Sequence, residues 1–374
     1  MKKLWRNLHL WVSVPFGIII SLICLSGALL VFEKEITESG CAAAAQVKPQ
    51  GQPLPLDAII SSAASSLPAD AAISGVEISP DPKDAYRISL AGKGHKAAFA
   101  DQYTGEITGK TERTAFFKTI RSLHGALLCK RTAENGKTAW GPLIVGISTL
   151  SLLFALMTGI AVWWPKNREA LRRSLAITGK HGMQRFWFSL HDAGGIYAAI
   201  FLSAMCITGL TWSFEWFNRG FYTLLGASEQ IEASKPNKGT AEEAAVDYST
   251  WQKAYAQVAK ENPDRRITVR DGSISVSLGT YGNPRAADTY KFDTSTGEIT
   301  GINAYADSGR HTKISGWVGA LHTGTWGGLF SKTLYFLAAL MGASLPLTGY
   351  YIWLRRIAGR RSAGVRKAGD SSTT

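Results

Sequence analysis

The sequence carries little charge for its length. Asp, Glu, Lys and Arg make up only 18% of its 374 residues, and the mean hydropathy is close to zero. Because soluble proteins hold about 25% charged residues, this composition is poorly suited to a fully aqueous surface. The length suits two or three domains, and the low charge indicates that part of the chain lies in a membrane.

Motifs for several kinds of chemistry are also absent. The chain has no Cys-x-x-Cys pair, no P-loop and no G-x-G-x-x-G that opens a helix. Two of the four cysteines, Cys24 and Cys206, lie in apolar runs and are expected to be small apolar core residues. Cys41 and Cys129 lie in a loop predicted to face an oxidising compartment, where they either form a disulfide or stay as thiols.

Four long apolar runs are present, at 10–32, 143–164, 195–216 and 334–353. A helix of about 20 residues crosses a hydrocarbon core of about 30 Å, because each residue advances by about 1.5 Å. Backbone polar groups inside lipid must bond to one another. Each run is therefore predicted to form a transmembrane helix.

Net basic charge is confined to three segments. Residues 1–8, 165–186 and 355–374 account for the net charge of +13, and the remainder of the chain is neutral. A four-span topology puts these segments on one side of the membrane, which the positive-inside pattern identifies as the cytoplasm. The prediction is a multi-pass protein of the bacterial inner membrane with both termini in the cytoplasm and two long periplasmic loops. Nucleic acid is not an expected partner.

These boundaries divide the chain as follows. The predicted membrane helices are 1–32, 142–164, 191–216 and 331–354, the periplasmic domains are 33–141 and 217–330, and the cytoplasmic parts are a basic loop at 165–190 and a tail at 355–374. The first helix has the basic start of a signal peptide. We expect it to be retained, because its apolar run is long and glutamates separate it from the small residues that follow.

The chain contains an internal repeat. A shift of 182 positions aligns the first and third apolar runs without a gap and superimposes Trp5 on Trp187, His9 on His191, Cys24 on Cys206, Gly27 on Gly209 and Glu33 on Glu215. At other offsets, His124 corresponds to His322, Thr158-Gly159 corresponds to Thr348-Gly349, and Thr-Gly-Glu-Ile-Thr-Gly occurs at 104–109 and 296–301. One helix–domain–helix unit is therefore used twice, and the first helix matches one that is internal.

Each long loop has the pattern of a small α+β domain. In the first loop, a helix is predicted at 56–67 and strands at 75–79, 85–90 and 97–100, followed by the repeated Thr-Gly turn. In the second loop, a helix is predicted at 248–262 and strands at 266–270, 273–278 and 289–293 before the same turn. The predicted fold class is a membrane protein, mainly α, with four transmembrane helices and two periplasmic α+β domains.

These motifs together resemble the PepSY-associated transmembrane family. They comprise a basic, aromatic and Leu-His opening of a span, an exported domain with a Thr-Gly-Glu turn, and a Thr-Gly late in the returning span. The duplicated four-span form is similar to the di-haem ferric-siderophore reductases of that family. The resemblance implies PepSY-like exported domains, two b-type haems in the membrane and reduction of siderophore-bound ferric iron in the periplasm.

The repeat-matched histidines are the candidate ligands of the haem iron. His9 and His191 are predicted at the cytoplasmic ends of their spans, and His124 and His322 near the exported face. Because a low-spin electron-transfer haem has both axial positions filled, each pair is predicted to hold one haem. His124 precedes its span by some distance, which requires residues 116–128 to fold back as an amphipathic helix. The alternative is that these are interfacial histidines bonded to water or headgroups.

Glycines and arginines complete the candidate cofactor sites. Four glycines fall at the levels of the two histidine pairs: Gly27, Gly209, Gly159 and Gly349. They would let a flat porphyrin approach the backbone. Taken without the histidines, however, the glycines favour the alternative, which is close packing between helices. Three arginines precede candidate ligands and could pair with haem propionates: Arg6, Arg121 and Arg185. Anchoring at the membrane boundary is the alternative for the first and last of these.

The predicted function is an inner-membrane haem oxidoreductase that passes electrons across the membrane, reduces ferric iron in a periplasmic siderophore complex and releases ferrous iron. The cytoplasmic segments are too short for a dinucleotide-binding unit of about 30 residues or more. The electrons must therefore come from a separate donor, either a cytoplasmic flavoprotein or membrane quinol.

Three alternative functions stay open. They are a haem oxidoreductase with a quinone or thiol substrate, a non-enzymatic envelope adaptor that acts through its exported domains, and a siderophore or iron transporter. The near absence of charge within the spans disfavours a transporter. His95, His181 and His311 have no repeat partner, and His311 is a further candidate for facing a substrate.

Overall fold

The computed structural model describes residues 2–68, 71–92, 96–131, 138–180, 182–227, 246–279 and 281–370. Within these ranges a bundle of long apolar helices carries a β-sheet built from the two long loops. The bundle helices are α1 (Lys2–Ser13), α2 (Gly17–Val31), α6 (Trp140–Trp163), α8 (Met183–Ser213) and α12 (Gly328–Asp370).

The bundle helices include candidate membrane spans, as the apolar runs predicted. Among the described residues, three helical stretches are long and apolar enough to cross a membrane alone, at Trp140–Trp163, Met183–Ser213 and Thr325–Gly359. The pair α1 and α2 makes a fourth span if it is counted as one. The chain is thus a membrane protein with three or four spans.

The first span differs from the single helix predicted at 10–32. Helices α1 and α2 meet at an angle of 70°, and the break includes Pro15. Proline has no N–H for the helical ladder and its ring clashes with the preceding turn, so it breaks the helix here. At the matching position of the repeat, α8 has Tyr197 and continues as one helix of 31 residues. The prediction of one straight helix missed this effect of Pro15.

The bundle core lies between the ends of the helices. It is formed by buried apolar residues from α2, α6, α8 and α12: Ile20, Cys24, Leu152, Leu156, Ala198, Ala199, Leu202, Cys206 and Ala338. Side-chain hydroxyls join neighbouring helices, since Ser21 donates to the Ala343 carbonyl at 2.8 Å and Ser151 donates to the Val12 carbonyl at 2.6 Å. The two cysteines are small core residues, as predicted from the sequence.

The two long loops fold with the same element order. The first contains α3 (Glu33–Ser39), α4 (Leu56–Ser66), β1 (Ile73–Ile78), β2 (Tyr86–Leu90), β3 (Ala97–Ala100), β4 (Ile107–Thr111) and α5 (Ala115–Ala126). A short helix, α7 (Arg168–Ser174), lies in the loop between α6 and α8 that was predicted to be cytoplasmic. The second long loop contains α9 (Glu215–Leu224), α10 (Tyr248–Glu261), β5 (Ile267–Arg270), β6 (Ser273–Ser277), β7 (Ala287–Phe292), β8 (Ile299–Asn303) and α11 (Arg310–Thr323).

Each loop has a fourth strand that the sequence patterns did not predict. The strands β4 and β8 follow the repeated Thr-Gly turn, where Gly105 and Gly297 have φ of +78° and +69°. The left-handed conformation of these glycines closes the hairpin. Because β4 and β8 lie at the edges of the sheet and are only partly buried, their sequences lack a continuous apolar face.

The two loops form one sheet. Among the described residues, its eight strands follow the order β4-β3-β2-β1-β5-β6-β7-β8, so β1 and β5 join the two repeats at its centre. This pairing is antiparallel, with Val76 opposite Val269. The helices α4 and α10 pack against each other and contribute to one apolar core that includes Ile59, Trp251 and both central strands. The two repeats therefore share one hydrophobic core, which the prediction of two α+β domains did not anticipate.

Candidate cofactor site: two histidine pairs in the helix bundle

His9 on α1 and His191 on α8 face each other at one end of the bundle. Their ring centroids are 6.2 Å apart and their planes meet at 82°. We call them the inner pair, since the predicted topology puts them on the cytoplasmic side. His124 and His322, which we call the outer pair, lie at the other end with centroids 6.1 Å apart and planes at 63°. The repeat-matched residues are therefore neighbours in space.

Helix ends position the outer pair. Helix α5 begins at the Thr114 cap and ends at Leu127, which has φ of +49°. Helix α11 ends at Gly324, which has φ of +71°. The last helical turn of each helix carries the histidine. The helix ends directly after this turn, at a residue in the left-handed conformation that is usual for helix ends. Helix α5 packs on α2, as expected for a segment that folds back against the bundle.

Each histidine is held by its Nδ1 atom. In the inner pair, Nδ1 of His9 donates to the Ala155 carbonyl at 3.0 Å, and Nδ1 of His191 donates to the Leu345 carbonyl at 3.1 Å. In the outer pair, Nδ1 of His124 donates to the Ile23 carbonyl at 2.9 Å, and Nδ1 of His322 donates to the Met205 carbonyl at 3.1 Å. A carbonyl oxygen only accepts, so all four Nδ1 atoms carry the proton.

A hydroxyl group supports each of these hydrogen bonds. The hydroxyls lie 2.9–3.4 Å from the four Nδ1 atoms and belong to Thr158, Thr348, Ser26 and Thr208. Each hydroxyl also donates to carbonyls of its own helix, so its oxygen is left to accept from the imidazole. The network fixes one tautomer, in which Nε2 has a free lone pair. Within the described ranges, no Nε2 atom of the four rings has a hydrogen-bond partner.

The four glycines contact the histidine rings. A Cβ atom at Gly27 would lie 3.0 Å from Cε1 of His124, and one at Gly209 would lie 3.2 Å from Cε1 of His322. The corresponding distances are 3.3 Å between Gly159 and His9, and 3.4 Å between Gly349 and His191. Each pair of histidines thus rests on the glycines of the opposite helices. Each glycine gives room for an imidazole ring. The sequence had suggested room for a porphyrin or close helix packing, and neither interpretation included this contact with a histidine.

The inner pair borders a cavity of about 340 Å³ between α1, α6, α8 and α12. This volume is within the range of small-molecule sites, about 300–1,000 Å³. The walls are mainly apolar, and the charged and amide side chains among the lining residues are Arg6, Asn7, Asp192 and Arg356. The sequence analysis did not identify Arg356 as a candidate site residue. It lies in the basic tail, whose charge the positive-inside pattern already explained.

The other two candidate arginines lie elsewhere. Arg121 forms an ion pair with Glu33, which also pairs with Arg113 and is only 8% exposed. Arg185 is absent from the lining of the inner cavity, and its guanidinium lies 5.9 Å from the Phe188 ring centre. The repeat is not symmetrical here, since Glu215, the counterpart of Glu33, is exposed and pairs with Arg219.

Helix α8 connects the two levels. It carries His191 at the inner level, and Thr208, 17 residues later, at the outer level. At about 1.5 Å per residue, this spacing corresponds to about 25 Å along the helix. The two pairs are therefore separated by most of a hydrocarbon thickness, with the apolar bundle core between them.

The two imidazoles of each pair are residues that could hold the iron of a haem. Two imidazoles that share one metal through bonds of about 2 Å bring their ring centres to about 6 Å, in agreement with the observed 6.2 and 6.1 Å. Among the described residues, no group of three or more His, Cys, Asp or Glu could hold a bare metal ion. Two imidazoles per site instead suit a metal whose other ligands come from a macrocycle.

Further predicted residues have other surroundings. His311 stacks on Tyr222 with ring centroids 4.4 Å apart, so its ring packs within the protein. Cys41 and Cys129 are free thiols, so no disulfide joins them. His95 and His181 lie outside the described residues. Trp212, which the aromatic pattern did not single out, is 59% exposed and lies 4.8 Å from the His322 ring centre.

Comparison with known proteins identifies the family. No curated protein matches the chain. The family model described as the PepSY-associated TM region matches residues 6–356 and so covers nearly all of the 374 residues. As its motifs indicated, the chain belongs to the PepSY-associated transmembrane family.

Proposed function

We propose that this protein is an inner-membrane haem oxidoreductase that passes electrons across the membrane and reduces ferric iron held by a periplasmic siderophore. The observation that carries this proposal is the arrangement of the two histidine pairs. In both pairs, Nδ1 is bonded to a helix carbonyl, the rings face each other about 6 Å apart, and Nε2 is left without a partner in the described ranges.

Four histidines would hold two b-type haems. His9 and His191 would bind one haem iron, and His124 and His322 would bind the other. Haem, when bound, supplies one-electron transfer between ferric and ferrous iron. The carbonyl and hydroxyl acceptors orient each imidazole and raise its basicity, as partners of metal-bound histidines generally do.

Cationic side chains would hold the propionates of the inner haem. Arg6 and Arg356 line the cavity beside His9 and His191, and a guanidinium forms strong paired hydrogen bonds to a carboxylate. Arg121 is not given this role in our proposal, because its guanidinium already pairs with the Glu33 carboxylate, which it shares with Arg113. Arg185 lies outside this cavity.

The proposed direction of transfer is from the inner pair to the outer pair, and from there to the substrate. The reaction needs no general acid or base, because ferric iron gains one electron and ferrous iron binds hard oxygen ligands less tightly. The substrate class is supported by the resemblance of the duplicated four-span form to ferric-siderophore reductases. The substrate would approach the outer pair from the side of the sheet.

A reduced-minus-oxidised absorption spectrum of the purified protein tests the cofactor. We expect a low-spin b-type signal and close to two haems per chain. Anaerobic addition of a ferric siderophore to the reduced protein should then return the spectrum to the oxidised form and produce ferrous iron, which a ferrous chelator detects.

Two results would contradict the proposal. A well-folded protein that stays colourless despite ample haem supply would exclude the haem function and favour an adaptor that acts through its exported sheet. A haem protein that is not reoxidised by ferric siderophores but is reoxidised by a quinone or a disulfide would change the substrate class.

A further inference from the structure

A second cavity lies beside the inner pair. It is an open cleft with a volume of about 310 Å³, lined by α7, the segment that follows α7, and the first turns of α8. Its lining includes Ala170, Arg173, Arg185, Phe188 and Asp192. We call it the side cavity. Two of these residues, Phe188 and Asp192, also line the cavity of His9 and His191, so the two cavities share a wall.

The side cavity is held in place by the loop that forms it. The Ser189 hydroxyl accepts from the Thr178 backbone N–H at 3.1 Å, and the Tyr197 hydroxyl donates to the Leu175 carbonyl at 2.8 Å. These bonds fasten the segment after α7 along α8. The cavity is therefore built into the fold, as expected of a ligand site.

Asp192 has no role in the repeat architecture. It is the sole acidic residue of α8, and the matching position in the first repeat is Leu10. Among the described residues, its carboxylate has no direct hydrogen bond or ion pair within 4 Å, and the charges of Arg185 and Lys2 act on it from a longer distance. An ionisable side chain within a membrane helix is costly and is usually retained for function.

The lining suits a flat ring that bears polar groups at its edge. Phe188 and Ala170 offer apolar contact, the Asp192 carboxylate can accept a hydrogen bond, and the guanidinium groups of Arg173 and Arg185 can donate. A hydroquinone has this combination, because its aromatic ring carries a hydroxyl group at each of two opposite positions.

The position of the side cavity favours a lipid-soluble ligand. It lies at the end of α8, and the outward side of this helix continues from it with Tyr197, 54% exposed, and Ile200, 73% exposed. An apolar isoprenoid tail could lie along this surface within the bilayer. A donor protein in the cytoplasm would need no such cavity, because it could transfer electrons after docking at the surface.

We propose that the side cavity binds an isoprenoid hydroquinone of the membrane, which is the electron donor of this protein. This inference rests on the proposed haem function. The two O–H bonds of the hydroquinone break, and both protons leave to water at the cytoplasmic boundary. Its two electrons would pass one at a time to the haem that His9 and His191 would hold. The products are one quinone and, at the other end, two ferrous ions from two ferric siderophores.

Two tryptophan substitutions on α7 test the inference in the full-length, haem-loaded protein in lipid nanodiscs. Ala170→Trp fills the side cavity, whereas Leu171→Trp adds the same side chain at a position that is 37% exposed and does not line the cavity. The probes are decyl-ubiquinone for binding, by calorimetry, and decyl-ubiquinol for the rate of haem reduction, by stopped-flow absorption. Dithionite reduction of the haems provides the control for intact electron transfer.

We expect Ala170→Trp to lose decyl-ubiquinone binding and to slow reduction by decyl-ubiquinol at least tenfold. Leu171→Trp should behave as the wild type, and dithionite should reduce all three proteins equally. Unchanged binding and reduction in Ala170→Trp would overturn the inference. It would also be overturned if Ala170→Trp lost only a bound anionic phospholipid, detected by native mass spectrometry, while reduction by quinol was unaffected.

The two proposals fail in different ways. A haem protein that dithionite reduces and ferric siderophores reoxidise, but that neither binds the quinone nor accepts electrons from the quinol, would retain the proposed function without this donor. A protein without haem would refute the proposed function itself. Calorimetric binding of decyl-ubiquinone does not depend on haem and reports the cavity alone.

Discussion

His9 and His191 are 182 positions apart in the chain, yet their ring centroids are 6.2 Å apart in the bundle. They occupy the same position in the two repeats. Each donates its Nδ1 proton to a backbone carbonyl on the second long helix of its own repeat, which is α6 for His9 and α12 for His191. The second pair, His124 and His322, repeats this relationship at the opposite end. Duplication of one unit with one histidine at each end is therefore sufficient to build two paired sites.

Removal of one histidine should affect one haem. We expect His9→Ala and His191→Ala to lose the inner haem, and His124→Ala and His322→Ala to lose the outer haem, since each iron would lack one axial ligand. Haem quantification should give half of the wild-type content in each variant. His311→Ala is the control, because its ring stacks on Tyr222 outside both pairs. Loss of both haems in His311→Ala, with the protein still folded, would contradict the assignment.

The glycines should tolerate no branched side chain. Gly27 has the shortest approach, with a Cβ at 3.0 Å from Cε1 of His124, so Gly27→Val should displace this ring and remove the outer haem. Gly220→Val on α9 is the control, because nothing lies within 4 Å of a Cβ there. The absorption spectrum and haem content measure the result. Full haem content in Gly27→Val would show that the ring can move without losing its ligand role.

The hydroxyls should tune the reduction potential. In Thr158→Val the hydrogen bond from His9 to the hydroxyl is lost, which lowers the electron density on the imidazole and disfavours ferric iron. A bond of about 1 kcal/mol would raise the midpoint potential of the inner haem by up to about 40 mV. Potentiometric titration measures this shift. The control is Thr149→Val on the same helix, since the Thr149 hydroxyl bonds only to the Val145 carbonyl.

Glu33 should contribute to stability far more than its repeat counterpart. It is buried between Arg113 and Arg121, and Glu33→Gln would leave these cations without their partner. The cost is about 3 kcal/mol, the lower end for a buried pair, because Arg121 is partly exposed. The exposed pair of Glu215 with Arg219 is worth about 0.3–0.5 kcal/mol. Thermal unfolding in detergent should therefore show a clear loss for Glu33→Gln and almost none for Glu215→Gln. Equal losses would mean that burial does not distinguish the two sites.

The two long loops should not fold separately. Strand β1 pairs with β5 at the centre of the sheet, and the apolar core is shared by α4 and α10. A fragment of residues 33–141 would expose the β1 edge and half of this core, so we expect it to be unfolded or aggregated by circular dichroism. A joined fragment of both loops, 33–141 linked to 217–330, is the matched control and should recover strand structure. A folded 33–141 fragment would contradict the shared core.

Much of the site was predictable because its residues repeat. The offset of 182 linked His9 with His191 and Gly27 with Gly209, and the apolar runs predicted which end of the bundle each residue would occupy. The hydroxyls were visible as well, since a Ser or Thr precedes each of the four glycines. Their role as acceptors for Nδ1 was not visible, because it depends on the rotation of each helix about its axis.

Other features depended on contacts between distant segments. The ion pair of Arg121 with Glu33 was not predicted, because nothing in the local sequence links these two residues. Arg356 and Asp192 belong to a basic tail and a span, and they acquire a possible role only because α8 and α12 bring them to the same cavity. The bend at Pro15 was missed because the repeat suggested a straight helix like α8.

The sequence by itself determined that the chain enters a membrane, that it contains a duplicated unit and which histidines correspond. These properties follow from hydropathy, spacing and residue identity, which are local or periodic. The tertiary structure decided that the two repeats share one sheet, that each imidazole donates through Nδ1 to the opposite helix, and that a side cavity adjoins the inner pair. These properties arise from packing between segments far apart in the chain, whose free energy no local pattern encodes.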